Sequence, residues 1–113
     1  MPNSQRIILF TSRFNRDLRQ LAKRYRRIRS DITPIIEQLQ AGETPGDQIA
    51  GTGYVAFKAR AANSDAQRGK SGGYRIIYQL KDQEVVLLLV IYSKSDQEDI
   101  SPAEIALLID QNL

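Results

Sequence analysis

The pattern of apolar and polar residues near the middle of the chain predicts two β-strands joined by a short turn. The first strand, residues 73–80, alternates, with apolar residues on one face and Arg75 on the other. The second, residues 85–92, is apolar on both faces and rich in β-branched residues, which is typical of a covered central strand. The polar residues between them predict an antiparallel hairpin. Arg75, the cation in the middle of its first strand, must therefore be exposed to solvent, paired with an anion or part of a functional site.

The N-terminal third of the chain predicts a short strand at residues 6–11 and then two helices. Thr11 or Ser12 can cap the first helix. Its apolar stripe, at spacings of four and three, consists of Phe14, Leu18, Leu21, Tyr25 and Ile28. Pro34 disfavours helical geometry just before it and suits a first helical turn, so we expect a break at residues 30–33. The second helix then ends near Gly42.

Residues 54–60 alternate and predict a further strand after a turn-rich segment at residues 43–53. We expect the face that carries Phe57 to be core and the face that carries Lys58 and Arg60 to be open. The small, polar residues that follow, 61–73, show no period, so we expect a mobile loop there.

A capping box marks the start of the last helix. Ser101 stands at the N-cap position, Pro102 at the first helical position, and Glu104 at the position that closes the box. Ile100 and Ile105 occupy the two positions of a hydrophobic staple. The elements together predict the order β-α-α-β-β-β-α in one domain over residues 1–113. The predicted fold class is α+β, with a small, mostly antiparallel four-stranded sheet, a helical hairpin packed on it and a short C-terminal helix.

Composition narrows the chemistry that the chain can perform. The chain contains no cysteine, which removes disulfides and thiolate chemistry and fits a cytoplasmic protein. It contains no histidine either, so proton transfer near neutral pH falls to a carboxylate, lysine or tyrosine, and a histidine-built metal site is excluded. No apolar run is long enough to cross a bilayer, and we expect no membrane association and no cofactor.

Charge is distributed unevenly along the chain. Residues 1–30 contain nine lysines and arginines and one acid, whereas residues 95–113 contain five acids and no base. Such separation indicates a polyanionic partner, most simply a nucleic acid. The alternative is a solvated basic helix face, and composition does not separate the two.

Cations from two predicted strands point to one surface. Lys58 and Arg60 lie opposite the Phe57 face, and Arg75 lies opposite the apolar face of its own strand. Three further cations can join them: Arg68, Lys70 and Lys94. Such a cluster would bind a phosphodiester and stabilise the extra negative charge of its transition state. The alternative is that these side chains merely cover a solvated sheet.

Four segments give the chain a resemblance to the RelE/ParE superfamily of bacterial toxins, and within it to the HigB/RelE type. They are GDQIAGTG (46–53), FKAR (57–60), GKSGGYRIIY (69–78) and IYSKSDQEDIS (91–101). The resemblance implies a compact α+β ribonuclease that enters the ribosomal A site. There it would cut mRNA without metal, by attack of the ribose 2′-hydroxyl on the adjacent phosphate. It also implies a cognate antitoxin, RelB- or HigA-like, as partner.

The resemblance also assigns roles to individual residues. Lys58 matches a lysine implicated in proton transfer or charge stabilisation, and Arg60 matches the basic residue that follows it. Arg75 matches the arginine that holds the scissile phosphate, and Lys94 matches a basic residue at the end of the last strand.

The chain departs from RelE at three positions of that pattern, where RelE has a further lysine, an arginine and a tyrosine: Ala56, Ser95 and Ser101. These departures leave the general acid and base open. The candidate replacements are Lys70, Tyr92, Asp96 and Glu98.

The leading hypothesis is therefore a ribosome-dependent endoribonuclease toxin. The cations of the first helix and its end are expected to contact ribosomal RNA: Arg16, Arg19, Lys23 and Arg27. Two alternatives remain: a ParE-like gyrase poison, and a non-catalytic module that binds RNA or the ribosome through the same basic surface.

Overall fold

The computed structural model describes residues 5–66, 72–97 and 99–112. Within these ranges, no helix is both long enough and apolar enough to span a lipid bilayer. The described residues form three helices and five strands. In chain order they are β1 (Ile7–Phe10), α1 (Ser12–Arg24), α2 (Ile28–Gln40), β2 (Asp47–Gln48), β3 (Ala56–Ala61), β4 (Tyr74–Leu80), β5 (Val85–Ser93) and α3 (Pro102–Asp110). The α+β class is confirmed.

The sheet is mixed and has five strands in the order β1-β5-β4-β3-β2. The sheet differs from the predicted four mostly antiparallel strands in two details. First, β2 forms inside the turn-rich segment, where Asp47 and Gln48 pair antiparallel with Lys58 and Phe57. Two polar residues carry no periodicity, so only the pairing makes them a strand. Second, β1 pairs parallel with β5, a direction that its own sequence does not encode.

The boundary between α1 and α2 lies earlier than predicted. α1 ends at Arg24, and α2 already begins at Ile28 and contains Pro34 in its interior. The reason is burial along one continuous stripe, formed by Ile28, Ile32, Ile35 and Leu39. Burying these side chains outweighs the backbone hydrogen bond that the proline removes.

Both faces of the sheet are covered by apolar side chains, but by different elements. α1 and α2 pack on the face that carries Tyr74 and Tyr78, through residues such as Phe14 and Leu39. α3 packs on the opposite face, where Ile105 is fully buried in a cluster formed by Ala56, Ile77, Leu87, Leu89, Val90, Tyr92, Ile100 and Ile109. The face predicted to be open is therefore covered around Ala56.

The N-terminus of α3 has the predicted Ser101 cap. The Ser101 hydroxyl accepts a hydrogen bond from the backbone N–H of Glu104 at 3.1 Å, and Pro102 begins the helix. Ile100 and Ile105 are both buried in the same cluster, as the staple requires.

The segment after β3 was predicted to be a mobile loop, yet residues 62–66 form a hydrogen-bonded turn on the start of α2. The Asp31 carboxylate accepts hydrogen bonds from the backbone N–H and the hydroxyl of Ser64, at 3.0 and 3.1 Å. Asp65 accepts one from the backbone N–H of Arg27 at 2.7 Å. Contacts made by single acidic residues leave no periodic pattern in the sequence, so the pattern did not show that this turn binds to the start of α2. Residues 67–71 lie outside the described ranges.

Candidate active site

The register of the sheet brings three candidate side chains into one row. Arg60 of β3 is the register partner of Arg75 of β4, and Arg75 is the partner of Tyr92 of β5. Directly opposed residues project from the same face, with Cβ atoms about 4.5–5.5 Å apart. Lys58 lies on the same face two residues before Arg60. The predicted meeting of cations from two strands is thus confirmed for Lys58, Arg60 and Arg75.

Asp99, in the connection between β5 and α3, adds a carboxylate to this row. Its Oδ1 lies 3.2 Å from the Lys58 Nζ and accepts the backbone N–H of Ile100 at 2.9 Å. The Tyr92 hydroxyl donates to the same oxygen over a longer distance, 3.5 Å. We call Lys58, Arg60, Arg75, Tyr92, Lys94 and Asp99 the sheet cluster. Lys58 is therefore paired with a carboxylate of the protein, that of Asp99.

The surroundings of Asp99 and Tyr92 determine whether each side chain is protonated at neutral pH. Desolvation by itself would raise the pKa of Asp99, but the Ile100 N–H, the Lys58 hydrogen bond and the charges of Lys58 and Lys94 outweigh it, so the pKa lies below its ordinary value. Burial, assisted by Asp99 and opposed by Arg75, raises the pKa of Tyr92 to about 12. At neutral pH the cluster therefore contains an ionised carboxylate and a protonated phenol.

Arg75 is more enclosed than a mid-strand cation on an open face would be. Its residue exposure is 6%, and its Nη1 donates to the carbonyl oxygen of Tyr74 at 3.2 Å. Of the sequence-based alternatives for this charge, free exposure is thus wrong. Arg60 is exposed and the Lys58 side chain is 31% exposed, so both are more accessible from solvent than Arg75.

Lys94 follows the last residue of β5 and stands at the edge of the cluster. Its backbone N–H donates to the Gly73 carbonyl at 3.0 Å, which ties the end of β5 to the start of β4. Its charge is one of those that lower the pKa of Asp99, so the ammonium group lies within electrostatic reach of that carboxylate.

The remaining candidates separate into three groups. Asp96 does not join the cluster: both of its carboxylate oxygens bind the guanidinium of Arg24, at 2.9 and 3.2 Å. Tyr92 does join it. Arg68, Lys70 and Glu98 lie outside the described residues.

The cations predicted to contact ribosomal RNA form a second basic surface. Arg16, Arg19 and Lys23 are exposed on α1, whose apolar residues pack on the sheet face opposite the cluster. Arg27 is exposed at the start of α2, with its Nε 4.0 Å from an Asp65 carboxylate oxygen. The two basic surfaces therefore lie on opposite sides of the sheet.

Sequence reasoning missed Asp99. Its neighbours in the chain, Asp96 and Glu98, are the acids named above as candidate replacements. No local pattern distinguishes the three, since only the path from β5 into α3 determines which carboxylate reaches Lys58. The one available signal was that Asp99 comes immediately before the staple residue Ile100, whose burial fixes its neighbour in space.

The family model for the RelE toxin of the RelE/RelB toxin–antitoxin system matches residues 10–110. The chain belongs to the RelE toxin family. It is a toxin of a toxin–antitoxin system, and membership implies an antitoxin as its partner. The match runs from the last residue of β1 to the last residue of α3, so it includes every residue of the sheet cluster and the basic face of α1. No curated protein matches the chain.

Proposed function

We propose that this toxin is an endoribonuclease that cuts mRNA on the ribosome, by metal-independent attack of a ribose 2′-hydroxyl on the adjacent phosphate. The observation that carries the proposal is the row formed by Arg60, Arg75 and Tyr92, with Lys58 beside it on the same face. Two opposed arginines and a lysine supply the charge that a phosphorane-like transition state needs.

In the proposed reaction the O2′–P bond forms and the P–O5′ bond breaks, which leaves a 2′,3′-cyclic phosphate and a 5′-hydroxyl. One proton leaves the 2′-hydroxyl and another is delivered to the 5′-oxygen. Both transfers need side chains that hold the right protonation state near neutral pH.

The accessible cations, Arg60 and Lys58, have a different role in this proposal from the buried Arg75. Arg60 and Lys58 receive the phosphate from solvent, and Arg60 can offer a planar fork of donors to its oxygens. Arg75, which is 6% exposed, supplies fixed positive charge at the floor of the cluster and holds the phosphate once it is seated. Lys94 adds positive charge at the edge.

Proton transfer is assigned to Lys58 and Asp99. Their ion pair at 3.2 Å holds the ammonium in place until a phosphate oxygen takes over as its partner. Lys58 then donates a proton toward the 5′-oxygen, and the released carboxylate of Asp99 accepts the proton of the 2′-hydroxyl. Tyr92, protonated because its pKa is about 12, donates a hydrogen bond to a phosphate oxygen.

The basic face of α1 is proposed to bind ribosomal RNA and not the cleaved message. What supports this is its position on the other side of the sheet from the cluster, together with the exposure of Arg16, Arg19 and Lys23. Exposed cations of this kind bind phosphates without reading sequence.

The test is cell-free translation with added toxin, followed by primer extension on the message. We expect new 5′ ends inside codons at the ribosomal A site, with no dependence on added divalent ions beyond what the ribosome needs. Inhibition of translation without new ends would instead indicate a binding module, and DNA damage that depends on gyrase would indicate a ParE-like poison.

A further inference from the structure

A cavity of about 290 Å³ opens where β4 begins and β5 ends. Its walls include Tyr25 from the α1–α2 connection, Asn63 from the turn after β3, and Gly73 at the start of β4. Ser93, the last residue of β5, and Ser95 also line it, as do Ala66 and Gly72. The volume lies just below the usual range for small-molecule sites, so it suits one planar ring system and not a whole nucleotide.

The cavity adjoins the sheet cluster through the chain itself. Lys94, a member of the cluster, stands between the two lining serines, and its backbone N–H donates to the carbonyl of the lining residue Gly73 at 3.0 Å. Tyr92 of the cluster and Ser93 of the cavity wall are consecutive residues of β5, so their side chains project to opposite faces of the sheet. A polynucleotide whose phosphate sits on the cluster therefore has the cavity within reach around the end of β5.

The chemistry of the walls fits a neutral, flat group with polar edges. The described residues that line the cavity carry no charged side chain; they present an aromatic ring, an amide and two hydroxyls. Tyr25 supplies an aromatic wall, and two neighbours hold its ring in place. The Arg24 guanidinium lies 4.8 Å from the ring centroid, and the Tyr74 ring packs edge-on with its centroid 5.8 Å away. Single-stranded RNA is recognised largely by such aromatic surfaces.

Hydrogen-bonding groups are also available at the cavity wall. The Asn63 side-chain oxygen accepts the backbone N–H groups of Asp65 and Ala66, at 2.9 and 3.1 Å. Its amide group donates no hydrogen bond to the described residues, so it is a donor for a ligand. The Ser93 and Ser95 hydroxyls lie 2.9 Å apart, and a hydroxyl pair needs only one of its two protons for that bond.

We propose that this cavity receives a base of the RNA next to the scissile phosphate, and that it sets the sequence preference of cleavage. The inference rests on the ribonuclease function proposed above. The Asn63 amide favours a base that presents a carbonyl oxygen, and the serine pair can serve as donor or acceptor. Tyr25 gives the base a surface to lie against.

Two variants alter the cavity without touching the cluster. Ser95→Leu fills it from an exposed position, and Asn63→Asp keeps the oxygen that holds the turn but removes the amide donor. Their matched controls are Thr44→Leu, which adds the same side chain at an exposed site, and Asn112→Asp, which adds the same charge at the end of α3. Neither control residue lines the cavity.

The first measurement maps cleavage ends over many codons in cell-free translation. Wild type and both controls should share one codon profile. In Ser95→Leu and Asn63→Asp we expect the ratio of rates between preferred and disfavoured codons to fall by about tenfold, because a lost pocket contact costs discrimination of that order. An unchanged profile in both variants would overturn the proposal, and so would an equal loss of rate at every codon.

The second measurement does not depend on cleavage. A 2′-O-methyl RNA trinucleotide, which cannot undergo 2′-hydroxyl attack, is titrated into the isolated toxin and followed by amide chemical shifts. We expect saturable shifts at Asn63, Gly73 and Ser95 in wild type and in the controls, but not in Ser95→Leu.

The two measurements separate the failure of this inference from the failure of the proposed function. Pocket shifts with the trinucleotide, but no cleavage of any RNA, would support the base site and refute the nuclease. Cleavage without pocket shifts would do the reverse. If Ser95→Leu lost only antitoxin affinity and kept its codon profile, the cavity would be a protein contact and the proposal would be overturned.

Discussion

The two basic surfaces of this toxin contain the same residue types but differ in how their charges are held. On α1, Arg16, Arg19 and Lys23 project into solvent from one helix. Arg16 has an acid nearby, with its Nη2 3.4 Å from Asp17. In the sheet cluster, Arg75 is 6% exposed and the ammonium of Lys58 is fixed by Asp99.

The difference shows why a count of cations does not locate a catalytic site. Mobile, exposed charges attract a polyanion over a distance and are screened by salt. A group that stabilises a transition state must already be oriented when the charge develops, so it needs strands, neighbours and restricted access to water. In the sheet cluster, Arg75 is buried and Lys58 is held by Asp99, whereas the cations of α1 are exposed.

The largest effect is expected at Lys58. Arginine keeps the charge but cannot release a proton, so Lys58→Arg should bind RNA normally and lose most of the cleavage. Lys58→Ala should lose about 100- to 10,000-fold, which is the usual contribution of a positioned acid or base. Single-turnover cleavage on programmed ribosomes measures both, with Lys23→Arg on α1 as the matched control. Wild-type cleavage by Lys58→Arg would reduce Lys58 to an electrostatic contact.

Arg75 should follow, because its charge is oriented but transfers no proton. We expect Arg75→Lys to reduce cleavage by about 100- to 1,000-fold, in line with the loss of one fixed transition-state contact. Lysine keeps the buried charge, so the fold should survive, which circular dichroism and the melting temperature can verify. The corresponding Arg19→Lys change on α1 should leave the rate within about twofold. Equal effects at both positions would remove the distinction between the two surfaces.

A smaller effect, of a different kind, is expected from α1. Reversing the charges of Arg16, Arg19 and Lys23 should weaken ribosome binding and flatten its dependence on salt. Each lost phosphate contact should reduce the slope of log K against log salt by about 0.7–0.9. Filter binding over a series of salt concentrations gives the slope. The cleavage rate at saturating ribosome should stay unchanged, and a fall in that rate would place α1 in the active site.

The smallest effect concerns the stability that Asp99 contributes. Its folded pKa lies below the ordinary 3.8, so its contribution is present above that value and is lost as the pH falls through the lower, folded pKa. Asp99→Asn should therefore melt slightly below wild type at pH 6, and the two should converge below pH 3.8. The difference should be modest because the Asp99 side chain is 60% exposed. A difference in melting temperature that grew as the pH fell would contradict the ion pair between Asp99 and Lys58.

The sequence by itself determined those features in which a local period or a cap coincides with burial. The β4–β5 hairpin and the apolar face of α1 follow from spacing, because each buries the side chains that the period places together. The Ser101 cap of α3 follows from the residue types at the start of the helix. The sequence also placed Lys58, Arg60 and Arg75 on one surface, since alternation in a strand fixes which face a residue takes.

The tertiary structure alone decided the features that depend on which segments meet. The pairing of β2 with β3, the parallel direction of β1, and the continuation of α2 through Pro34 are set by neighbours distant in the chain. The choice of Asp99 for Lys58, and the cavity that joins Tyr25 to Ser95, have the same origin. Long-range contacts carry no short-range period, so a single sequence read along its length does not reveal them.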